Sequence, residues 1–234
     1  MSAPNTLNWI RVGLLTLPVY GLLTFWSTLD PQPDQVEEPE EWARFVGSTS
    51  YLVDHIFGAI GGAVLAILGV FALGAYLARS TSAGRLGLVA MVMTVVGHAL
   101  GLVIGAISTF ASNAVGRAYL AGSTDVIEAV EFASSMLVIY ALCVLLLVVG
   151  NVLLGVAVWR SGMLPKWAGA LWVASAVLFY VLGAVAGLLT TGASLPTQPV
   201  GGLLIAISGG WIAWSVLRRP SAGKVGAQAQ PRVQ

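Results

Sequence analysis

Long apolar runs separated by short polar segments organise the whole chain. A helix that crosses a bilayer needs about 20 mainly apolar residues. Backbone amides inside the hydrocarbon have no water to bond, which favours helices over open strands. The pattern therefore predicts an all-α polytopic membrane protein, a six-transmembrane-helix bundle that forms one domain over residues 1–219. The predicted spans are approximately 7–29, 50–78, 84–109, 127–159, 166–190 and 199–217.

The composition agrees with a membrane location. Of 234 residues, 57% are hydrophobic and only 9% are charged, whereas soluble domains carry roughly 25% charged residues. The net charge of +1 provides no basic surface for a nucleic acid, so no nucleic-acid partner is expected. The sequence lacks P-loop, dinucleotide-binding, zincin, serine-hydrolase and aspartate-rich diphosphate motifs, and it predicts neither a cofactor nor a metal site.

The distribution of lysine and arginine predicts the orientation. Only Arg44 and Arg117 fall on one side of the predicted membrane. Because short cytoplasmic loops are enriched in Lys and Arg, we expect a multi-pass plasma-membrane protein with both termini in the cytoplasm. The tail 220–234 is small and polar and is predicted to be disordered. The basic residues on the cytoplasmic side are Arg11, Arg79, Arg85, Arg160, Lys166, Arg218, Arg219, Lys224 and Arg232.

All the acidic residues map to the outer side, and most of them lie in the outer loop 30–48. Within this loop, Pro39 is expected to begin a short helix. Trp42, Phe45 and Val46 recur on one face of that helix, and we expect the helix to lie flat at the interface with its aromatic side chains in the lipid headgroups. The fourth span is longer than a ~30 Å core requires, so it is expected to tilt or to project outward.

Asp54 is the first candidate for chemistry, because an ionisable residue inside a membrane is costly. Steps of four residues lead from Asp54 to Gly58, Gly62 and Ala66. Such a stripe of small residues is the face on which a neighbouring helix packs, so Asp54 is expected to point into the bundle. The alternative is an interfacial acid that bonds a loop.

Glu128 and Glu131 are three residues apart on the fourth span, which places both carboxylates on one face. Carboxylates also simply favour the start of a helix, where the macrodipole stabilises negative charge. If they face Asp54, mutual repulsion keeps one carboxyl protonated at neutral pH. A protonated carboxyl in a buried site is what a general acid requires.

His98 and Asn151 lie deep in their spans. A hydrogen bond between them would satisfy both side chains, and the alternative is a relay or orienting role for His98. Asp54, His55, Glu128 and Glu131 have ligand types that suit a metal. They lack the Glu-x-x-His pairs of di-iron bundles, however, and we predict no metal there.

Aromatic side chains in the outer and central parts of the spans are candidates to line a substrate cavity beside these acids. Anchoring in lipid and ordinary packing are the alternatives. The predicted substrate-binding residues are Trp26, Tyr51, His55, Phe57, Phe132, Tyr140 and Asn151.

Two segments resemble a known group of proteins. Residues 153–169, Leu-Leu-Gly-Val-Ala-Val-Trp-Arg-Ser-Gly-Met-Leu-Pro-Lys-Trp-Ala-Gly, and residues 117–122, Arg-Ala-Tyr-Leu-Ala-Gly, are similar to small actinobacterial six-helix membrane proteins of mostly unknown function. This resemblance covers most of the chain and implies topology rather than chemistry.

The chain also resembles, more weakly, the membrane-bound terpene cyclases of meroterpenoid pathways, and its Pro39-Glu40-Glu41-Trp42 run partly matches the PxE(E/Y) motif of membrane lycopene cyclases. It departs from that motif at the fourth position. Those cyclases protonate an alkene or epoxide with acidic residues. The resemblance implies that Asp54 or one of the two glutamates is the acid.

The leading hypothesis is a metal-independent, acid-initiated terpene or isoprenoid cyclase that protonates a prenyl-chain alkene in a dry, aromatic-lined cavity. Its expected partners are a hydrophobic prenylated substrate and membrane lipid. Asp54 would donate the proton, Glu128 and Glu131 would tune or return it, and His98 would orient or relay it. The alternatives are a non-enzymatic small-molecule or lipid carrier or accessory subunit, and a membrane sensor that uses its acidic outer loop.

Overall fold

The computed structural model describes residues 3–126, 134–191 and 194–219. Within these ranges it is an all-α bundle in which six helices are long and apolar enough to cross a membrane, as the sequence predicts. The first span comprises Ala3–Leu14 and Thr16–Ser27, the second Thr49–Val53, Asp54–Gly61 and Gly62–Leu77, the third Gly84–Leu120, the fourth Ser134–Arg160, the fifth Lys166–Ala176, Val177–Ala186 and Gly187–Thr191, and the sixth Thr197–Leu217. The predicted tail 220–234 lies outside the described residues.

The bundle has an apolar perimeter. Side chains such as Phe71 (48% exposed), Val103 (56%) and Leu189 (79%) point away from the other helices. A soluble monomer rarely exposes contiguous apolar surface on this scale. The perimeter therefore suits contact with lipid, and the chain is a multi-pass membrane protein.

The six spans form a closed ring in chain order. Each span packs against the next one along the chain, and the sixth packs extensively against the first. The two ends of the ring differ in charge. We call the end that carries Asp30, Asp54 and Asp125 the acidic end, and the end that carries Arg79 and Arg219 the basic end.

The half of the ring next to the basic end is filled with apolar side chains. Leu14, Leu73, Leu154, Trp172 and Ile212 are each at most 1% exposed and belong to one core cluster. These residues come from the first, second, fourth, fifth and sixth spans. The core therefore ties most of the ring together at this level and leaves the acidic half to form the site.

Closure of the ring depends on a close approach of the first and sixth spans at Gly21. A Cβ atom placed on Gly21 would lie 2.6 Å from Cα and 2.9 Å from Cβ of Ala206. Small residues at such crossings let two membrane helices approach to backbone contact. Because backbone atoms face Gly21, the sixth span would have to move to accommodate even a methyl group.

We expect Gly21→Ala to destabilise the protein by about 1–3 kcal/mol, the usual effect of overpacking a well-packed contact. Thermal unfolding of the purified protein in detergent measures the change. Gly105→Ala is the matched control, because no atom from another part of the described chain lies within 4 Å of a Cβ at Gly105 and alanine is the better helix former. Equal melting temperatures for wild type and Gly21→Ala would contradict the tight crossing.

The third span differs from its predicted length. The prediction ended it near residue 109, whereas the helix runs from Gly84 to Leu120, 37 residues or about 55 Å. The chain turns only at Gly122, which has a positive φ of 102°. This projection was expected of the fourth span, whose predicted first residues 127–133 lie outside the described part of the chain.

The short helix predicted after Pro39 is present and spans Pro39–Gly47. It packs against the projecting part of the third span, where the Asn113 side chain donates a hydrogen bond to the Val46 carbonyl at 2.7 Å. Trp42 and Val46 are 2% and 0% exposed. The expectation that the aromatic side chain of Trp42 lies in the lipid headgroups is therefore wrong, because Trp42 is buried against protein.

Candidate functional site

A cavity of about 420 Å³ lies inside the acidic half of the ring. Its volume is within the range of about 300–1,000 Å³ that small-molecule sites occupy. All six spans contribute to its wall. The lining residues discussed below are Tyr20, Thr24, Trp26, Ser27, Asp30, Gln32, Phe45, Tyr51, Asp54, His55, His98, Phe179, Tyr180 and Gln198.

Two π-helical segments, Asp54–Gly61 and Val177–Ala186, form opposite parts of this wall. Such segments are rare, and they occur often at functional sites. The first carries Asp54 and His55, and the second carries Phe179 and Tyr180. The wider turn of a π-helix changes which side chains share a face. Both segments therefore change which of their side chains are turned to the cavity.

The stripe of small residues predicted to follow Asp54 packs against the first span. A Cβ on Gly58 would lie 3.0 Å from Ser27 Oγ, and one on Gly62 would lie 3.7 Å from Thr24 Oγ1. This contact turns Asp54 toward the cavity, where its side chain is half-buried. The expectation that Asp54 points into the bundle is confirmed.

The neighbouring aromatic groups of Asp54 form one edge of the cavity. The rings of Tyr51 and His55 lie 3.9 Å apart between centroids, and His55 Nδ1 is 2.9 Å from the Tyr51 carbonyl oxygen. The carbonyl accepts this bond, so Nδ1 carries the hydrogen. The Phe45 ring also contacts the Tyr51 ring edge-on, with the two centroids 5.8 Å apart.

The floor of the cavity is formed by Tyr20, His98 and Tyr180. These side chains are 5%, 5% and 6% exposed. The two tyrosine hydroxyls are 3.3 Å apart, and the His98 ring stands edge-on to the Tyr20 ring at 5.4 Å. Nε2 of His98 is buried and has no hydrogen-bond partner among the described residues. Burial of an unpaired polar atom is unfavourable, so this position calls for an explanation.

Charge at the cavity is one-sided. Asp30 and Asp54 line it, and the described lining includes no lysine or arginine. Arg44, the nearest basic residue in sequence, pairs with Glu40 at 2.5 Å on the exposed surface. The electrostatics of the cavity therefore favour neutral or positively charged groups over anions.

The structure brings five of the predicted site residues together. Asp54, His98, Trp26, Tyr51 and His55 all line the cavity.

Three others lie elsewhere. Phe57 is 61% exposed on the perimeter, and Tyr140 borders a separate depression beside the loop residues Pro33 and Val36. Asn151 is buried, and its expected bond to His98 is not formed. It accepts a hydrogen bond from Trp172 Nε1 at 2.9 Å and donates one to the Leu147 carbonyl at 2.8 Å.

Glu128, Glu131 and Phe132 lie outside the described residues. Their predicted roles stay predictions. Among the residues that the structure describes, no group of three or more His, Cys, Asp or Glu side chains is placed to hold a metal ion.

Tyr20 and Tyr180 were missed by the sequence interpretation. Both lie near the middle of apolar spans, where a hydroxyl must find a partner inside the protein. That position was the available signal, and it was the same signal that singled out His98 and Asn151.

No family model, curated protein or solved structure matches the chain. The resemblances carried by residues 117–122, 153–169 and 39–42 therefore remain expectations. Because a fold does not determine a function, the chemistry of the cavity itself must support the proposal.

Proposed function

We propose that this chain is a membrane enzyme that binds a small, unsaturated isoprenoid in the cavity and starts its isomerisation or cyclisation by proton transfer from Asp54. The observation that carries this proposal is a cavity of ligand size in which a half-buried carboxyl, several aromatic rings and a buried imidazole converge. Proton donors and aromatic walls are what a carbocation reaction needs from a protein.

The proposed reaction uses Asp54 twice. Its carboxyl gives a proton to one alkene carbon, which leaves a carbocation on the neighbouring carbon. A second alkene of the same chain attacks that cation and forms a carbon–carbon bond. This bond leaves the positive charge on the other carbon of the second alkene. Loss of a proton from a carbon next to that charge, to the Asp54 carboxylate, ends the reaction. The product is therefore an isomer of the substrate, and the acid is regenerated.

The cation would be stabilised by the surroundings of Asp54. Trp26, Tyr51 and Phe179 line the same cavity, and an aromatic face attracts a cation by about 0.5–2 kcal/mol. The Asp54 carboxylate adds an opposite charge once it has given up its proton. The absence of lysine and arginine from the described lining removes a source of repulsion.

We also propose that the acidic end faces outward and that both termini are cytoplasmic. The support is the concentration of lysine and arginine at the basic end, together with the positive-inside rule. In this orientation a prenyl tail reaches the acid from within the bilayer while its polar head remains nearer a surface.

The test is incubation of membranes that contain the chain with prenylated candidates in D₂O, followed by mass spectrometry. An enzyme equilibrated in D₂O carries deuterium on the Asp54 carboxyl before its first turnover, so with enzyme in excess over substrate we expect an isomer that is one mass unit heavier than the product made in H₂O. A first-turnover isomer without deuterium would contradict proton initiation, because its formation would not have used a solvent-exchanged acid.

A second candidate function is binding or carriage without chemistry. The observation in its favour is that the lining of the cavity extends to Asp30 and Gln32 in the loop after the first span. Among the described residues, the apolar core separates it from a second cleft, at the basic end, with which it shares no lining residue; that cleft is lined by Leu7, Arg11, Tyr76, Arg79, Met163, Val216 and Arg219. A prenylated compound that raises the melting temperature but is recovered unchanged would favour this second function.

A further inference from the structure

A groove on the perimeter adjoins the cavity at the acidic end. It is the depression that Tyr140 borders, and its volume is about 540 Å³. Three of the residues that line it also line the cavity, namely Gln32, Ser194 and Gln198. The groove and the cavity are therefore neighbouring compartments that share one rim.

The groove is present because the fourth and fifth spans diverge toward the acidic end. Near the basic end the two spans are in backbone contact, where a Cβ on Gly155 would lie 2.7 Å from the Gly169 carbonyl oxygen. The described part of the fourth span packs closely against Lys166–Ala176 but makes few contacts with Val177–Ala186. A gap between two neighbouring spans therefore opens beside the cavity and faces the lipid.

Apolar side chains of both spans border this gap. The fourth span contributes Tyr140, and the fifth contributes Ala184 and Leu188, which lie one turn apart. Leu188 is 50% exposed. This wall suits a chain molecule that is too long for the cavity alone, because the part outside the cavity still lies against apolar side chains and lipid.

The shared rim is fixed by the π-helical part of the fifth span. The Leu195 N–H donates a hydrogen bond to the Gly183 carbonyl at 3.1 Å, and the Gln198 N–H donates one to the Leu195 carbonyl at 3.0 Å. These bonds attach the connection before the sixth span to the fifth span. The fifth and sixth spans are thus held together, and the gap lies on the side of the fourth span.

Both compartments carry negative charge. Asp34 lines the groove, Asp30 and Asp54 line the cavity, and neither described lining contains a lysine or an arginine. The three rim residues are two amides and a hydroxyl, which can bond an alcohol, ether or carbonyl oxygen. A phosphate or diphosphate would instead meet charge of its own sign.

We propose that the groove binds the far part of a long, uncharged isoprenoid chain whose reactive part occupies the cavity. The cavity of about 420 Å³ is near the lower end of the range for small-molecule sites, so a longer chain must extend beyond it, and the shared rim leads into the groove. The choice of an isoprenoid rests on the function proposed above, whereas the binding of one long chain in two compartments rests on the groove itself. The substrate class is thus a long-chain prenyl alcohol, ether or ketone and not a prenyl diphosphate.

The test compares three probes by their effect on the melting temperature of the full chain in detergent. The probes are geraniol, with two isoprene units, geranylgeraniol, with four, and geranylgeranyl diphosphate, and titration of each gives an apparent Kd. We expect geranylgeraniol to stabilise the wild type and its diphosphate to bind at least about tenfold more weakly, because like charges oppose each other at the site. Equal or tighter binding of the diphosphate would overturn the assignment of an uncharged ligand.

Ala184→Trp is the main variant, since Ala184 lines the groove and not the cavity. We expect the added indole to weaken geranylgeraniol binding about tenfold and to leave geraniol binding within about twofold of wild type. Leu189→Trp is the matched control, because it places an indole on the same span at a position that is 79% exposed and lines neither compartment. Partitioning into detergent depends on the probe and not on the variant, so it cancels when variants are compared with one probe.

Four outcomes would overturn the inference. An equal loss for both alcohols in Ala184→Trp would show damage to the cavity, and unchanged binding of both would show that the groove holds only bulk lipid. An equal loss of geranylgeraniol binding in Leu189→Trp would show a general effect of bulk on this span, and no stabilisation of the wild type by geranylgeraniol would show that no long chain binds.

Two further results are informative. If Ala184→Trp is poorly folded, Leu188→Trp decides instead with the same expected pattern, because that side chain is already large and half-exposed. Geranylgeraniol that binds with the expected pattern and is recovered unchanged would support the groove assignment and contradict only the proposed enzyme. The two proposals therefore fail separately.

Discussion

Replacing Asp54 with asparagine is expected to lower product formation by a factor of about 10² to 10⁴, the usual contribution of a positioned general acid. Asparagine has nearly the same shape as aspartate and keeps hydrogen-bonding capacity, but it has no acidic proton to transfer. Asp54 is half-buried in the cavity wall, on a π-helical segment fixed against the first span. The substitution therefore removes the proton and leaves the wall in place.

Two measurements distinguish the loss of the proton donor from a loss of substrate binding or a general effect of removing a charge. Binding of the converted substrate to Asp54→Asn should stay within a few-fold of wild type, because aromatic surface provides most of the contact. Asp125→Asn is the matched control, since Asp125 is exposed at the same end of the ring and does not line the cavity. If Asp54→Asn turns over as fast as wild type, Asp54 is not the proton donor.

The second large effect is expected at His98, where stability and ligand affinity should change in opposite directions. Nε2 of His98 is buried and unpaired among the described residues, and the side chain is 5% exposed. Leaving a buried polar atom unsatisfied costs about 1–3 kcal/mol. His98→Leu removes that cost, so we expect the ligand-free variant to melt at a temperature equal to or higher than that of wild type.

The same variant should bind a prenylated ligand at least about tenfold more weakly, which corresponds to about 1.4 kcal/mol. The imidazole provides a hydrogen-bonding group at the floor of the cavity, beside the Tyr20 and Tyr180 hydroxyls. His98→Gln keeps a donor and an acceptor and should recover part of the affinity. A marked fall in the stability of His98→Leu, with unchanged affinity, would show that the residue serves packing alone.

Most of the fold could be predicted from the sequence because hydrocarbon imposes a simple requirement on every span. Runs of about 20 apolar residues must be helices, and six were found where six were predicted. The end of the third span was missed because the predicted span stopped near residue 109, before the polar residues Asn113 and Arg117. They lie instead on a helix that is covered by the helix Pro39–Gly47.

The site was predictable only residue by residue. The cost of burying Asp54 and His98 marked them in the sequence, and both line the cavity. The order of the helices around the ring, the two π-helical segments and the contact of Tyr20 with Tyr180 depend on residues far apart in sequence, and the two tyrosines alone are separated by 160 positions. Local patterns contain no information on such contacts, so the cavity itself had to come from the structure.

The closed ring has a consequence for biosynthesis. A chain emerging from the ribosome delivers its first span long before its sixth, yet these two spans form one seam, with Gly21 against Ala206. Until the sixth span is inserted, Tyr20 and Thr24 of the first span border an incomplete cavity, which lacks the part of its wall that the sixth span contributes. The cavity is thus completed only at the final step of assembly, and a ligand that fills it would act as a folding chaperone for the nascent protein, favouring the closed ring by mass action.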